Sequence, residues 1–437
     1  MDRFTAARPQ AKSTSEGRRS APTEAAAPSA RRLGTFRSFR YRSYRLWFAG
    51  QLLSQTGFWF YVITQALLVL KLTDSGTMVG IVTAVQNMPL FLIAPYAGAL
   101  TDRVDTRRLI LATQTVTTVS SLVLGLLVLT DVVSVAWVLV FATVTGVAWA
   151  FDQPARRTFA AELVPDEAVT NALSLNGVLL QLARMIGPAL AALVIGSLGF
   201  GWGFVATGIG TSVSLIALVT IGRGGDVFRS ADPSARGSLL DGLRLAWRDH
   251  HLRVVLLLLF STSTLAFNWH VLFPLFAVRD LRGSSATFAL LMAAMAAGSM
   301  GGAFWLARRV RVGRRLLAGG ACLYGTAQFC MAASPAVGVA AATALLLGLG
   351  STVLVNGGTA SLQLRVDKGM RGRMMGLFTL AVLGGVGLGA PLSGLLAEAW
   401  GTRIALGAGG VCALTGGLLV LWLVRPTSGR TRHTPRR

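Results

Sequence analysis

GALTDRVDTRRL, residues 98–109, closes one long apolar run and opens the next, and GAFWLARRVRVGRRLL at 302–317 does the same 204 residues later. A chain that repeats an arginine-loaded turn between two apolar runs has duplicated a unit. A second pair carries nearly the same offset: ARMIGPALAALV at 183–194 answers to GLGAPLSGLL at 387–396, with Pro188 and Pro391 203 residues apart. Outward from these turns, apolar runs of about the 20 residues needed to cross hydrocarbon lie at 46–70, 77–100, 109–130, 133–151, 171–196, 201–221, 252–278, 285–307, 315–333, 336–356, 372–397 and 402–424. The expected fold class is therefore an all-α integral membrane protein, with twelve transmembrane helices in two pseudo-symmetric six-helix halves. Both halves share one topology, because an even number of spans returns the chain to its starting side.

Composition agrees: 53 % of the 437 residues are hydrophobic and 14 % charged, far from a soluble chain. The excess of 41 Lys and Arg over 18 Asp and Glu would suit nucleic acid in another setting. Here it follows topology instead. Thirty-six of the 41 fall in the tails and alternate connections, Lys71, Arg279, Arg282 and Arg403 fall on the opposite side, and Arg184 lies inside a span. By the positive-inside rule both termini face the cytoplasm of a multi-pass protein of the cell (inner) membrane. The predicted division is a cytoplasmic N-terminal tail at 1–45, a first half at 46–221, a linker at 222–251, a second half at 252–424 and a basic tail at 425–437. The tail's first 33 residues are too poor in apolar side chains to fold, and FRSFRYRSYR at 36–45 reads as an interfacial anchor.

Cys322, Cys330 and Cys412 sit in apolar runs without metal-ligand spacing and read as small packing residues. No phosphate-binding loop, catalytic triad or metal cluster is recognisable. No cofactor, no nucleic-acid partner and no enzymatic activity are expected; the lipid bilayer and a small molecule are the expected partners.

GALTDRVDTRRL resembles the signature loop between helices 2 and 3 of the major facilitator superfamily, and the six-plus-six plan agrees with it over about 46–424. PARRTFAAELVPDEAVTNALSLNGVLLQLARMIGP at 154–188 and RVDKGMRGRMMGLF at 365–378 resemble the branch of macrolide-efflux proteins and the enterobactin exporter. The resemblance implies export of amphipathic drugs, siderophores or secondary metabolites by alternating access, in exchange for protons, by a monomer. It assigns Gly98 to close helix approach, Asp102 to a cytoplasmic gate, and Arg103, Arg107 and Arg108 to binding that gate together. A carboxylate there can face a helix N-terminus of the other half, where the macrodipole favours negative charge. A basic connection that merely sets topology is the plainer reading. Asp105 and Thr106 depart from the family's Gly and basic residue, and Leu306 and Ala307 replace the aspartate in the second half. Ala183, Gly187, Pro188, Ala191 and Ala192 resemble the antiporter signature of span 5, with Gly187 and Pro188 available to a rocking interface; ordinary helix packing is the alternative.

Arg184 is a charge inside a span, which is tolerated only facing protein or water. It has two readings: recognition of an anionic or carbonyl-rich substrate, or a fixed ion pair with Asp152. Gly177, Gln181, Arg184 and Pro188 form one helical stripe. Gln51, Gln55 and Trp59 recur at one-turn spacing in span 1, and Asn268 adds an amide from span 7, so Gln51, Gln55, Trp59, Gln181, Arg184 and Asn268 are the predicted substrate contacts. Asp152 paired with Arg184, and His270, are the candidates for proton coupling; His270 read as an interfacial residue is the alternative. An importer or uniporter on the same fold, and a membrane sensor that does not transport, are the competing functions.

Overall fold

The computed structural model describes residues 36–101, 104–222, 239–309, 313–366 and 370–423, and its regular structure there is entirely helical. The first half comprises α1 (Arg42–Thr73), α2 (Gly76–Thr101), α3 (Thr106–Leu129), α4 (Val135–Glu162), α5 (Asp166–Leu198) and α6 (Phe200–Gly222). The second comprises a short α7 (Leu239–Arg248), α8 (His250–Leu265), α9 (Trp269–Leu275), α10 (Ser285–Ala307), α11 (Arg314–Ala332), α12 (Val337–Arg365), α13 (Arg371–Thr379), α14 (Gly385–Trp400) and α15 (Thr402–Leu423). α8 and α9 form one broken rod that runs through a widened turn to Asp280, and α13 joins α14 through a similar turn at Leu380–Gly384. Counted as rods, twelve long helical segments are described. Ten are long and apolar enough to cross a membrane, including the Gly- and Gln-diluted segments at Glu167–Leu198 and Arg373–Trp400. Helices are the natural solution in lipid, since each satisfies its own backbone hydrogen bonds.

Local chemistry sets the ends. Asp105 accepts the backbone N–H of Arg108 at 3.0 Å and caps α3, so the residue that departs from the family's glycine starts a helix instead. Ser284 and Thr287 form a capping box on α10. Asp249 caps α8, accepting from His251 N at 2.7 Å, and pairs with Arg365 at 2.8 Å. Desolvation pushes the Asp249 carboxyl up, but hydrogen bonds from Arg365 and from the backbone of His251 and Leu252 outweigh it and hold the group below the usual carboxylate range. Gly199 after α5 and Gly401 after α14 both stand at φ +91°, a conformation that glycine adopts without steric cost. Their separation of 202 residues carries the internal repeat into the backbone.

α1 packs on α5 and α6, α2 on α4, and α3 on α4 and α6; in the second half α10 packs on α12, α11 on α12 and α15, and α8 on α14 and α15. The halves meet along α2 with α14 and α5 with α10. Residues 36–45 do more than rest at an interface. Ser38 donates to Asn171 Oδ1 at 2.8 Å, the Tyr44 hydroxyl donates to the Ala172 carbonyl at 2.8 Å, and Tyr44 and Trp47 are buried. This segment is docked on the start of α5. Cys322 and Cys412 are half-buried, whereas Cys330 is exposed on the outer face of α11 and is not a packing residue.

Candidate functional site

A cavity of about 750 Å³ lies between the halves, walled by α1, α2, α4 and α5 on one side and by α9, α10, α12 and the turn before α14 on the other. That size suits a drug-sized ligand, and its mainly apolar and aromatic wall suits an amphipathic one. Trp59, Gln181, Arg184 and His270 line it, and Gly177 lies on the same wall. At mid-length of α5 the Arg184 guanidinium lies over two indoles, 5.2 Å from the Trp59 ring and 4.9 Å from that of Trp269. Those indoles come from opposite halves and stack at 5.8 Å. His270 lies parallel to Trp59 at 5.8 Å. Cation–π contact partly compensates a desolvated guanidinium, but the Arg184 Nε is buried with no hydrogen-bond acceptor.

The predicted pairing of Arg184 with Asp152 is not formed. Asp152 is 3 % exposed and is claimed by its own helix: Arg156, one turn on, forms the ion pair. Thr113 donates to Asp152 Oδ1 at 2.9 Å and Gln114 at 3.3 Å. Arg156 also donates to Gln51 Oε1 and to Ser54, and Ser54 donates to Gln114 at 3.0 Å, so the network closes across α1, α3 and α4. Beside it is a chamber of about 40 Å³, lined by Gln55, Gln114, Thr117, Asp152 and Arg156 among others. That volume is large enough for a water molecule among several polar partners. Phe58, Gln86 and Trp149 form the wall between this chamber and the central cavity.

Three predicted substrate contacts therefore move. Successive one-turn steps drift by about 40° each on a helix of 3.6 residues per turn, so Trp59 faces the cavity, Gln55 the side chamber and Gln51 the ion pair on α4. Asn268 is 1 % exposed, occupies the break between α8 and α9, and donates back to the Thr264 carbonyl at 2.6 Å; it supports the break and does not line the cavity. Arg156 was not among the predicted site residues and lay beyond the apolar run at 133–151, although α4 runs to Glu162 with Pro154 inside it. Sequence reading also missed Trp269, which the α8–α9 break turns toward Arg184, and the cavity-lining amides Gln65, Gln86, Asn87 and Asn356.

Of the predicted gate, Asp102 and Arg103 lie outside the described residues, and Gly98 falls in the last turns of α2. Arg107 donates to the Leu218 carbonyl at 2.9 Å, near the end of α6 in its own half, and Arg108 bonds through its backbone to Asp105; neither crosses to the other half. A Cβ on Gly187 would lie 2.5 Å from Trp59 Cβ, so Gly187 allows α5 to approach α1 within the first half, and Pro188 lies inside α5. Among the described residues, polar contacts between the halves gather at the opposite end of the molecule. Glu398 of α14 accepts from Ser75 Oγ at 2.9 Å, from Thr77 N at 3.0 Å and from the Thr77 hydroxyl, capping the first turn of α2. Arg279 reaches Asp74 at 2.8 Å. A Cβ on Gly80 would strike the Ala390 carbonyl and come within 2.9 Å of Pro391, so α2 and α14 touch backbone to backbone there.

Relatives agree with this architecture. The chain is 28 % identical over 355 residues to the multidrug efflux pump Tap of Mycobacterium tuberculosis, covering 76 % of this chain and 82 % of the relative. It is 22 % identical over 280 residues to macrolide efflux protein A of Streptococcus pyogenes, covering 62 % and 67 %. It is 22 % identical over 260 residues to the staphyloferrin A transporter of Staphylococcus aureus, covering 58 % of this chain and 62 % of that relative's length. Among solved structures, a bacterial homologue of the lysosomal transporter Spinster, in an inward-facing and unoccupied conformation, superposes with a TM-score of 0.68 at 14 % identity over 87 % of this chain and 94 % of that one. The nucleoside transporter NupG gives 0.69 at 12 % identity over 88 % and 99 %. The family described as transmembrane secretion effector matches residues 33–436, and the chain belongs to that family of major facilitator proteins.

Proposed function

We propose that this protein exports small amphipathic molecules across the cell membrane by alternating access, as a monomer with twelve spans and both termini in the cytoplasm. The cavity at the seam between the halves carries the reading: it is sized for a drug-like ligand and shut at one end by Glu398 and Asp74. Its other wall residues, Ser174 and Gly177 of α5 and Ala307 of α10, run toward the end bearing the basic connections. By charge bias that end is cytoplasmic, so the conformation is inward-facing. Relatives named as efflux proteins support the outward direction of transport, and one named as a siderophore transporter supports a small-molecule cargo.

The exchanged ion in this proposal is the proton, and Asp152 is the group that takes it. It is a buried carboxylate with a water-sized chamber alongside, separated from the substrate cavity by Phe58, Gln86 and Trp149. Protonation would release Arg156, which already touches α1 through Gln51 and Ser54. Inverted membrane vesicles loaded with an imposed proton gradient test this reading. Gradient-dependent accumulation that is lost in Asp152→Asn supports proton-linked export; equal accumulation by both proteins removes Asp152 from the coupling step, and accumulation without any gradient removes proton exchange.

A further inference from the structure

The central cavity has an asymmetric charge. Among the described residues that line it there is one permanently charged side chain, Arg184, and no carboxylate; the other polar groups are neutral amides, hydroxyls and His270. The carboxylate that sequence reading offered as a counter-charge, Asp152, is bound by Arg156, Thr113 and Gln114 behind the wall. Arg184 makes no hydrogen bond or ion pair among the described residues, and its Nε is buried without an acceptor. A half-buried guanidinium that lacks an anion, with one nitrogen cut off from solvent, is unfavourable, and an arriving anion relieves that penalty while forming charge-assisted hydrogen bonds. A cation entering the same cavity meets like charge with nothing to neutralise it.

We infer that the transported molecule is an amphipathic monoanion, a carboxylate on a bulky apolar or aromatic body, whose charged group is read by Arg184 between Trp59 and Trp269. Resting on the exporter reading above, this inference supplies its substrate class. A planar carboxylate matches the in-plane N–H donors of a guanidinium better than a spherical halide or a neutral carbonyl does. The body fits the remaining wall, where Phe58, Trp149, Met295 and Phe304 give adaptable apolar and aromatic surface. Because Trp59 belongs to the first half and Trp269 to the second, the anion is read at the seam itself and engages both halves together.

The test uses one apolar body with three head groups: pyrenebutanoate, pyrenebutanamide and pyrenebutylamine. Each is titrated calorimetrically into the purified full-length protein in a neutral detergent, with empty micelles subtracted. Pyrenebutanoate is expected to bind at least tenfold more tightly than pyrenebutylamine. Arg184→Gln is expected to bring pyrenebutanoate to within twofold of the amide, with an unfolding midpoint no lower than that of the wild type reporting that the variant is folded; Arg184→Lys is expected to retain part of the preference. A wild-type ratio below tenfold, including no detectable binding of the carboxylate, overturns the inference, as does a preference that survives Arg184→Gln. Vesicle flux of the same three compounds separates the two claims. Gradient-driven flux of the amine but not the carboxylate leaves the exporter standing and removes the anion preference, whereas selective carboxylate binding without flux leaves the preference and removes the exporter.

Discussion

The two halves share a scaffold, yet among the described residues only the first carries charge in its interior. Asp152 and Arg156 on α4 correspond, 204 residues on, to Asn356 and Ala360 on α12; Arg184 on α5 corresponds, 203 residues on, to Gly387 on α14. The first half thus holds a buried ion pair and an unpaired guanidinium where the second holds an amide, a methyl group and a hydrogen atom. Duplication preserved the helix plan and the φ +91° glycines at 199 and 401, which geometry requires, and left the chemistry free to concentrate on one side. The second half then contributes shape: the indole of Trp269, the wall of α10 and α12, and the carboxylate latch of Glu398.

The largest break of this asymmetry is expected from Arg156→Ala. It strands the Asp152 carboxylate beside Thr113 and Gln114 and removes the donor to Gln51, and should lower stability by about 3–5 kcal/mol, read as the thermal unfolding midpoint in detergent. The corresponding change in the second half, Ala360→Ser, should move the midpoint far less; equal losses would mean that the pair is not special.

Next in size are the close approaches. Gly187→Ala places a Cβ 2.5 Å from that of Trp59 inside one half and should cost about 1–3 kcal/mol in stability. Gly80→Ala strikes α14 across the seam instead. It should favour opening at the Glu398 end, measured as faster labelling of a cysteine introduced at Val79 by a membrane-impermeant maleimide, with a smaller change in unfolding midpoint than Gly187→Ala. If both variants simply lost stability alike, the seam would be as rigid as the half itself.

A smaller effect sharpens the comparison from the other side. Asn356→Asp gives the second half the carboxylate it lacks, on a residue that faces the cavity; it should weaken pyrenebutanoate and strengthen pyrenebutylamine, each by about tenfold, in the same calorimetric titration. The smallest effect is expected at Asp249→Ala, which removes the cap of α8 and should cost about 1 kcal/mol. Because the folded carboxyl of Asp249 lies below its ordinary value, its contribution is full above the usual carboxylate range and is lost as pH falls through the lowered value. The wild-type and variant midpoints should therefore converge in acid.

Hydropathy and repetition made the scaffold legible, because spans in lipid must be long, apolar and self-bonded. Arg184 was legible for the same reason: a charge within an apolar run cannot be incidental. Arg156 was not, since it lies beyond the apolar run at 133–151 and only the structure shows α4 continuing through Pro154. Gln51 was misassigned because residues one and two turns apart share a face only approximately. Trp269 depended on the break at Ala266–Asn268, which rotates everything after it and leaves no mark in periodicity.

Two indoles from opposite halves, stacked at 5.8 Å, are close enough for their electronic transitions to mix. Such a pair gives an exciton couplet in ultraviolet circular dichroism whose sign follows the twist between the rings. When the halves rock apart at this level Trp59 and Trp269 must separate, and the couplet must collapse. The protein therefore carries an unlabelled optical gauge of its own alternation, and Trp269→Phe supplies the blank against which it is read.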